Sequence, residues 1–120
     1  MKVAITSQGV GAESEIDPRF GRAKFFIVVD TETGELTVAN NDQNLNAAQG
    51  AGIQAGKTVV SLGAEAVITG HVGPKAFATL QAGGVAVYSG AKGTVAEVLE
   101  AFKTGSLKQT DNADVEGHWA

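Results

Sequence analysis

Ala66-Val67-Ile68-Thr69-Gly70-His71-Val72-Gly73-Pro74-Lys75 reads as a short buried strand to Thr69, a tight turn from Gly70, and a helix entered at Pro74. A brief apolar run stopped by glycine suits a strand covered on both faces. Proline suits the first helical position, because the N–H it lacks would have no helical partner there. Such a helix start presents free N–H groups and a positive dipole end, both favourable to an anion. The expectation is a small α/β domain whose loops gather around this turn.

Working outward, the helix from Pro74 to about Ala82 carries Ala76, Phe77 and Leu80 on one face and stops at Gly83-Gly84. Val85 to Ser89 is the next strand. Thr94-Val95-Ala96-Glu97 is a capping box, and Val95, Val98, Leu99 and Phe102 then recur as a single apolar stripe. Gly105 ends that helix. Ser106 to Ala120 is polar until Trp119 and has no clear periodicity, so it is a tail, either free or folded back.

On the other side, a helix rich in Ala and Gly runs over roughly Ala47 to Leu62, with Asn46 and Gln49 as its capping box and Gly63 at its end. Its small residues suit close packing on a sheet. Asn41 to Asn46 is an Asn-rich loop. Lys2 to Ser7 is a first strand with an apolar centre, and Gln8 to Arg22 is a long loop of a length that is usually functional or mobile. Lys24 to Asp30 and Glu35 to Asn40 form a hairpin around Thr31–Gly34. The order β-β-β-α-β-α-β-α favours parallel pairing by right-handed crossovers. It gives a mixed five-stranded sheet in which strand two is the one antiparallel member. Residues 1–105 form the domain and 106–120 the tail.

The 120 residues suffice for one core, and 43% hydrophobic with 18% charged residues is ordinary for a soluble domain. Cysteine is absent, which excludes disulfides, thiolate nucleophiles and Cys-held Fe–S or zinc sites. A net charge of −4 argues against broad nucleic-acid binding. No apolar run approaches a membrane span, and Met1-Lys2 leads into a strand rather than a signal peptide, which favours the cytoplasm. The polar strand Glu35–Asn40 is expected at a sheet edge and fits a monomer.

In open α/β sheets, ligands sit at the carboxyl ends of the parallel strands. Four segments should meet there: Gln8–Arg22, Asn41–Gln49, Gly70–Pro74 and Gly90–Gly93. Strand four ends Thr69-Gly70 and strand five Ser89-Gly90. Each is followed by a Gly-containing turn, a lysine (Lys75, Lys92) and a helix. The pair reads either as twin anion-binding helix starts or as two ordinary βα turns. Five of the nine Lys and Arg residues (Arg19, Arg22, Lys24, Lys75, Lys92) map to this edge, together with Glu13, Glu15, Asp17 and Asp42. Neither a phosphate-binding loop nor a dinucleotide fingerprint follows strand one, and Gly50-Ala51-Gly52 reads as helix–sheet packing.

His71 could donate to an anion, ligate a metal or be a solvated loop residue. With no second ligand at metal-binding spacing, hydrogen bonding is the favoured reading. His118 can join only if the tail folds back. Ser7, Thr69 and Ser89 end strands, but no signature supplies them with a base and an orienting acid.

Asp17-Pro18-Arg19-Phe20-Gly21-Arg22, Gly50-Ala51-Gly52-Ile53-Gln54 and Thr69-Gly70-His71-Val72-Gly73-Pro74-Lys75-Ala76-Phe77 occur in that order. In these segments the chain resembles the dinitrogenase iron–molybdenum cofactor biosynthesis family, to about Gly105. The absence of Cys and the closing Val115-Glu116-Gly117-His118-Trp119 most resemble a member that carries a molybdenum–copper sulfide cluster. The resemblance implies a ribonuclease H-like three-layer fold. It also implies non-covalent carriage or assembly of an anionic metal–sulfur cluster, without catalysis and with no nuclease activity. Another molybdenum or iron–sulfur cluster, and protein partners for delivery, are compatible with it. A cluster that brings its own sulfur needs N–H donors, cations and a partly dry pocket, because a buried anion must be compensated. The candidate partners are Arg19, Arg22, His71, Lys75 and Lys92, with backbone donors from Gly70, His71, Val72 and Gly73 and from Gly90 to Gly93. Phe20 and Ile53 are candidate apolar walls, with ordinary core packing as the alternative. A protein-interaction or regulatory module without its own ligand is the competing function.

Overall fold

The computed structural model describes residues 1–41 and 50–111. The expected loop beyond Asn41, the capping box of Asn46 and Gln49, and the readings of His118 and Trp119 lie outside them.

The described elements run β1 (Lys2–Ser7), β2 (Phe25–Asp30), β3 (Leu36–Asn40), α1 (Ala51–Ser61), β4 (Ala66–Ile68), α2 (Pro74–Ala82), β5 (Ala86–Tyr88) and α3 (Val95–Lys103). They build one mixed five-stranded sheet in the order β3-β2-β1-β4-β5. β2 is antiparallel to both neighbours, whereas β1, β4 and β5 pair in parallel.

The central strands alternate between two cores. Ala4, Phe26, Val28 and Val67 join Ala55, Val59, Ala76, Phe77 and Leu80 on the face covered by α1 and α2. Val3, Ile5, Ile27, Val29, Ala66 and Ile68 join Val95 and Val98 on the face covered by α3. Period-two alternation with both faces apolar explains why β1 and β2 read as continuous apolar runs.

Helix α1 begins after Gly50, whose φ of 79° cannot continue a right-handed helix, and the expected start at Ala47 lies outside the described residues. Its small residues serve helix–helix contact as well as the sheet. A methyl group on Gly56 would lie 2.9 Å from Thr79 Cγ2 of α2. β3 is an edge strand as expected, but Leu36 and Val38 are exposed on it, so the edge is less polar than it reads.

The chain after α3 folds back. Leu107 packs against the α3-side core, and Thr110 N–H donates to Val87 O at 2.7 Å. This pairing covers part of the otherwise open edge of β5.

Candidate functional site

The strand registers define one edge of the sheet. Ser7 pairs with Phe25, Phe25 with Asn40, Ile5 with Ile68, and Ile68 with Tyr88. Gln8, Lys24, Asn41, Thr69 and Ser89 follow or precede these ends. The loops carrying nearly all candidate residues therefore leave from the same side.

The loop Gln8–Arg22 has no helix or long strand, yet it is pinned along its length. Gln8 N–H donates to Glu15 O (3.0 Å), Asp17 N–H to Thr6 O (2.9 Å) and Ile16 N–H to Gly93 O (2.9 Å). Near its end it forms a parallel bridge with the turn after β4. His71 N–H donates to Pro18 O (2.7 Å) and Phe20 N–H to His71 O (3.1 Å), which places Arg19 opposite His71. Gly70 allows this approach, since a Cβ there would sit 2.6 Å from Pro18 O. The two βα turns are also joined, by Gly90 N–H to Gly70 O (2.7 Å) and Ala91 N–H to Thr69 O (3.2 Å). Asn41 is buried and donates through Nδ2 to Gly21 O (3.2 Å) and Ala23 O (2.8 Å), holding the end of the loop.

A polar node lies beneath the seam. Buried Thr6 donates through Oγ1 to Asp17 O (2.8 Å) and is hydrogen-bonded to Thr69 Oγ1 (2.9 Å). Asp17 is itself buried; its Oδ1 accepts from Arg19 N–H (3.1 Å) and lies 3.9 Å from Arg19 Nε. Asp17-Pro18-Arg19 carries a local signal for this Asx turn that the sequence reading missed, because an Asp side chain caps the N–H two residues on. The pair charge is shared with water, as 46% of the Arg19 side chain is exposed.

The two helix starts at this edge are not equivalent. At α3, Thr94 N–H donates to Glu97 Oε1 (2.9 Å) and Glu97 N–H to Thr94 Oγ1 (3.2 Å). Val95 N–H donates to Ser14 O (2.9 Å) and Ala96 N–H to Ala12 O (2.8 Å). All of its first-turn donors are engaged. The Glu97 carboxyl is held below the usual glutamate range, first by the Thr94 backbone hydrogen bond and then by its side chain. At α2, Gly73 provides no side-chain cap, Pro74 opens the helix and no acidic residue occupies the first turn. The N–H groups of Lys75 and Ala76 have no acceptor among the described residues. Of the two helix starts, only that of α2 has first-turn amides without an acceptor among the described residues.

Of the expected donors after β4 and β5, His71, Gly90 and Ala91 use their N–H groups to join the loops. Lys75, Lys92 and Arg19 are exposed, His71 and Arg22 half-buried, and Gly70 and Gly73 buried. Gly90 is exposed at the edge, and Gly93 accepts the bond from Ile16. Phe20 and Val72 are fully buried in the α1–α2 core, where Phe20 packs against Phe26 with ring centroids 5.8 Å apart. Ile53 is half-buried on α1. The strand-end hydroxyls serve the fold. Ser7 Oγ donates to Gly9 O, Thr69 is bonded to Thr6, and Ser89 Oγ lies 2.7 Å from Thr110 Oγ1. Among the described residues, no cluster of three or more His, Asp or Glu is placed to hold a metal ion. No described helix is long and apolar enough to cross a membrane.

The sequence model of the family described as dinitrogenase iron–molybdenum cofactor matches residues 1–105. The structure resembles the apo form of the orange protein from Desulfovibrio gigas, with a TM-score of 0.93 and 36% identity over 95% of this chain and 96% of that one. It also resembles a NifB-like protein of the DUF35 family from Thermotoga, with a TM-score of 0.80 and 40% identity over 95% and 98% of the two chains. A Methanocaldococcus jannaschii protein is 27% identical over 91% of each chain.

Proposed function

The chain belongs to the dinitrogenase iron–molybdenum cofactor family, and from that premise we propose that it carries an anionic metal–sulfur cluster of the molybdenum–copper sulfide type without covalent attachment. The observation that carries this reading is the bare start of α2, with neither a side-chain cap nor a first-turn acid. Two N–H groups without an acceptor among the described residues, and the helix dipole there, favour negative charge. Lys75 lies within the same turn, and Arg19 is brought to it through its bridge with His71.

The residues suit a ligand that supplies its own sulfur. The chain has no cysteine to bridge metals. Arg19, Lys75 and Lys92 provide charge from the rim, Arg22 and His71 polar groups from half-buried positions, and Gly73 adds no side-chain cap to the Lys75 and Ala76 amides. Ile53 supplies an apolar wall, whereas Phe20 and Val72 act from beneath by supporting the turn. When bound, the cluster is cargo, and the protein's work is to hold it and keep water and thiols from it. The sheet order, with helices on both faces, supports the ribonuclease H-like assignment. Residues 1–105 are the cluster-binding domain of this proposal, working as a cytoplasmic monomer.

Tetrathiomolybdate and copper added to the apo-protein are expected to give a visible charge-transfer band that coelutes with the protein on gel filtration. An apo-protein that emerges colourless overturns the reading. A second reading, a protein-interaction module with no ligand, is favoured by Val10, which is 61% exposed on the loop Gln8–Arg22. A partner that binds apo wild-type protein and is lost on Val10→Asp, with no coloured species formed, would support it.

A further inference from the structure

The fold-back after α3 reaches the site from a direction the family match does not include, since that match ends at residue 105. Leu107 anchors the segment on the α3-side core with Tyr88 and Phe102, whose rings pack edge to face at 5.1 Å. Three residues later Thr110 makes three hydrogen bonds to the end of β5. Its N–H donates to Val87 O (2.7 Å), its Oγ1 accepts from Ser89 N–H (2.9 Å), and the Thr110 and Ser89 hydroxyls are 2.7 Å apart. Ser89 is followed directly by Gly90, whose N–H donates to Gly70 O, and Gly70 precedes the residue that bridges to Arg19. A continuous chain of bonds thus runs from Thr110 through the β5 turn and the β4 turn to the loop bearing Arg19.

We infer that Thr110 is a positioning residue for the cluster site, acting through Ser89 and Gly90 to hold the β4 turn against the loop of Arg19. The inference rests on the cluster-carrying reading for its consequence, but the positioning has its own readout. Gly90 has a φ of 79° and no neighbour that a Cβ would touch, so hydrogen bonds rather than side-chain contacts at this position hold the turn. The main-chain bonds of Gly90 to Gly70 and of Ala91 to Thr69 hold this turn on one side, and the bonds of Thr110 to Ser89 hold it on the other. The β-branched shape of Thr110 is not what matters in this arrangement; its oxygen is.

The test compares full-length Thr110→Val, which keeps the shape and loses the hydroxyl, with Thr110→Ser, which keeps the hydroxyl. In apo-protein, amide exchange at Gly90 and Ala91 is expected to accelerate about fivefold in Thr110→Val and to return to the wild-type rate in Thr110→Ser. Exchange at Ile5 and Val28, in the central strands, should stay unchanged. After loading with tetrathiomolybdate and copper, Thr110→Val should lose its colour to a copper(I) chelator about fivefold faster than wild type and show an altered visible circular dichroism spectrum. Thr110→Ser should restore both. Equal protection of Gly90 in wild type and Thr110→Val overturns the positioning role, whether or not any cluster binds. Looser amides with an unchanged rate of colour loss and an unchanged spectrum overturn its link to the site. A wild-type protein that takes up no cluster refutes the function proposed above, and the amide comparison then still decides the positioning.

Discussion

The turns after β4 and β5 are near copies in sequence and opposites in wiring. Thr69-Gly70 leads to Gly73-Pro74-Lys75, and Ser89-Gly90 leads to Lys92-Gly93-Thr94. Both strands are followed by a hydroxyl residue and a glycine, and both helices begin at the same edge of the sheet. At α3 a capping box and the loop carbonyls of Ala12 and Ser14 take every first-turn N–H. At α2 proline removes one donor and glycine offers no cap, leaving two amides without an acceptor among the described residues. A helix start is an anion site only where nothing in the chain has already satisfied it. The α3 start is therefore a structural joint, and the α2 start is where we propose that the ligand sits.

The largest expected effect separates the two glycines. Gly70→Ala puts a Cβ against the Pro18 backbone and should cost about 3 kcal/mol in urea unfolding, with loss of cluster uptake. Gly90→Ala meets no neighbour and pays only for its left-handed φ, about 1 kcal/mol. Equal costs would mean that the Pro18–Gly70 contact is not a tight seam. Next, Lys75→Ala should weaken cluster retention about tenfold while shifting stability by no more than about 0.5 kcal/mol. Lys92→Ala, beside the satisfied helix, should weaken retention less. The reverse ranking, read from dissociation of the coloured complex, would move the site to α3.

Smaller still, Thr94→Ala should cost about 1 kcal/mol of stability through its cap and leave cluster retention as it was. The slightest effect is on pH dependence. The carboxyl of Glu97 has a folded pKa below its unfolded one, so it binds a proton less readily in the folded state. Its stabilisation is present above the unfolded glutamate pKa and is lost as pH falls through the folded one. Wild type and Glu97→Gln should therefore differ in unfolding midpoint at neutral pH and converge in acid. A gap that persists below both pKa values would show that the charge is not the cause.

The legible parts of the fold were those with local causes. β1 and α2 occupy the residues their patterns indicate, because an apolar run and a Pro start with a Gly stop each act over a few residues. The capping box at Thr94 and Glu97 was readable for the same reason. Gly50 could have been read as a breaker, but the polar residues before it matched a cap pattern instead. The clustering of Arg19, His71 and Gly70 followed from strand order, and the structure joins them by main-chain bonds. Illegible were Asn41 holding Gly21 and Ala23, Thr6 under Asp17 and Thr69, and Thr110 on Ser89. Each pairs residues far apart in the chain through polar atoms that leave no periodic trace.

The amino-acid sequence by itself determined an α/β sheet, three helices and an edge at which basic residues and glycine turns collect. It did so because hydrophobic periodicity and helix-end chemistry are short-range properties. It presented the turns at Gly70 and Gly90 as equals. Only the tertiary structure decided between them, because whether an amide remains available depends on which carbonyl arrives in space. Ser14 and Ala12 arrive at α3, and no described group arrives at Lys75 and Ala76.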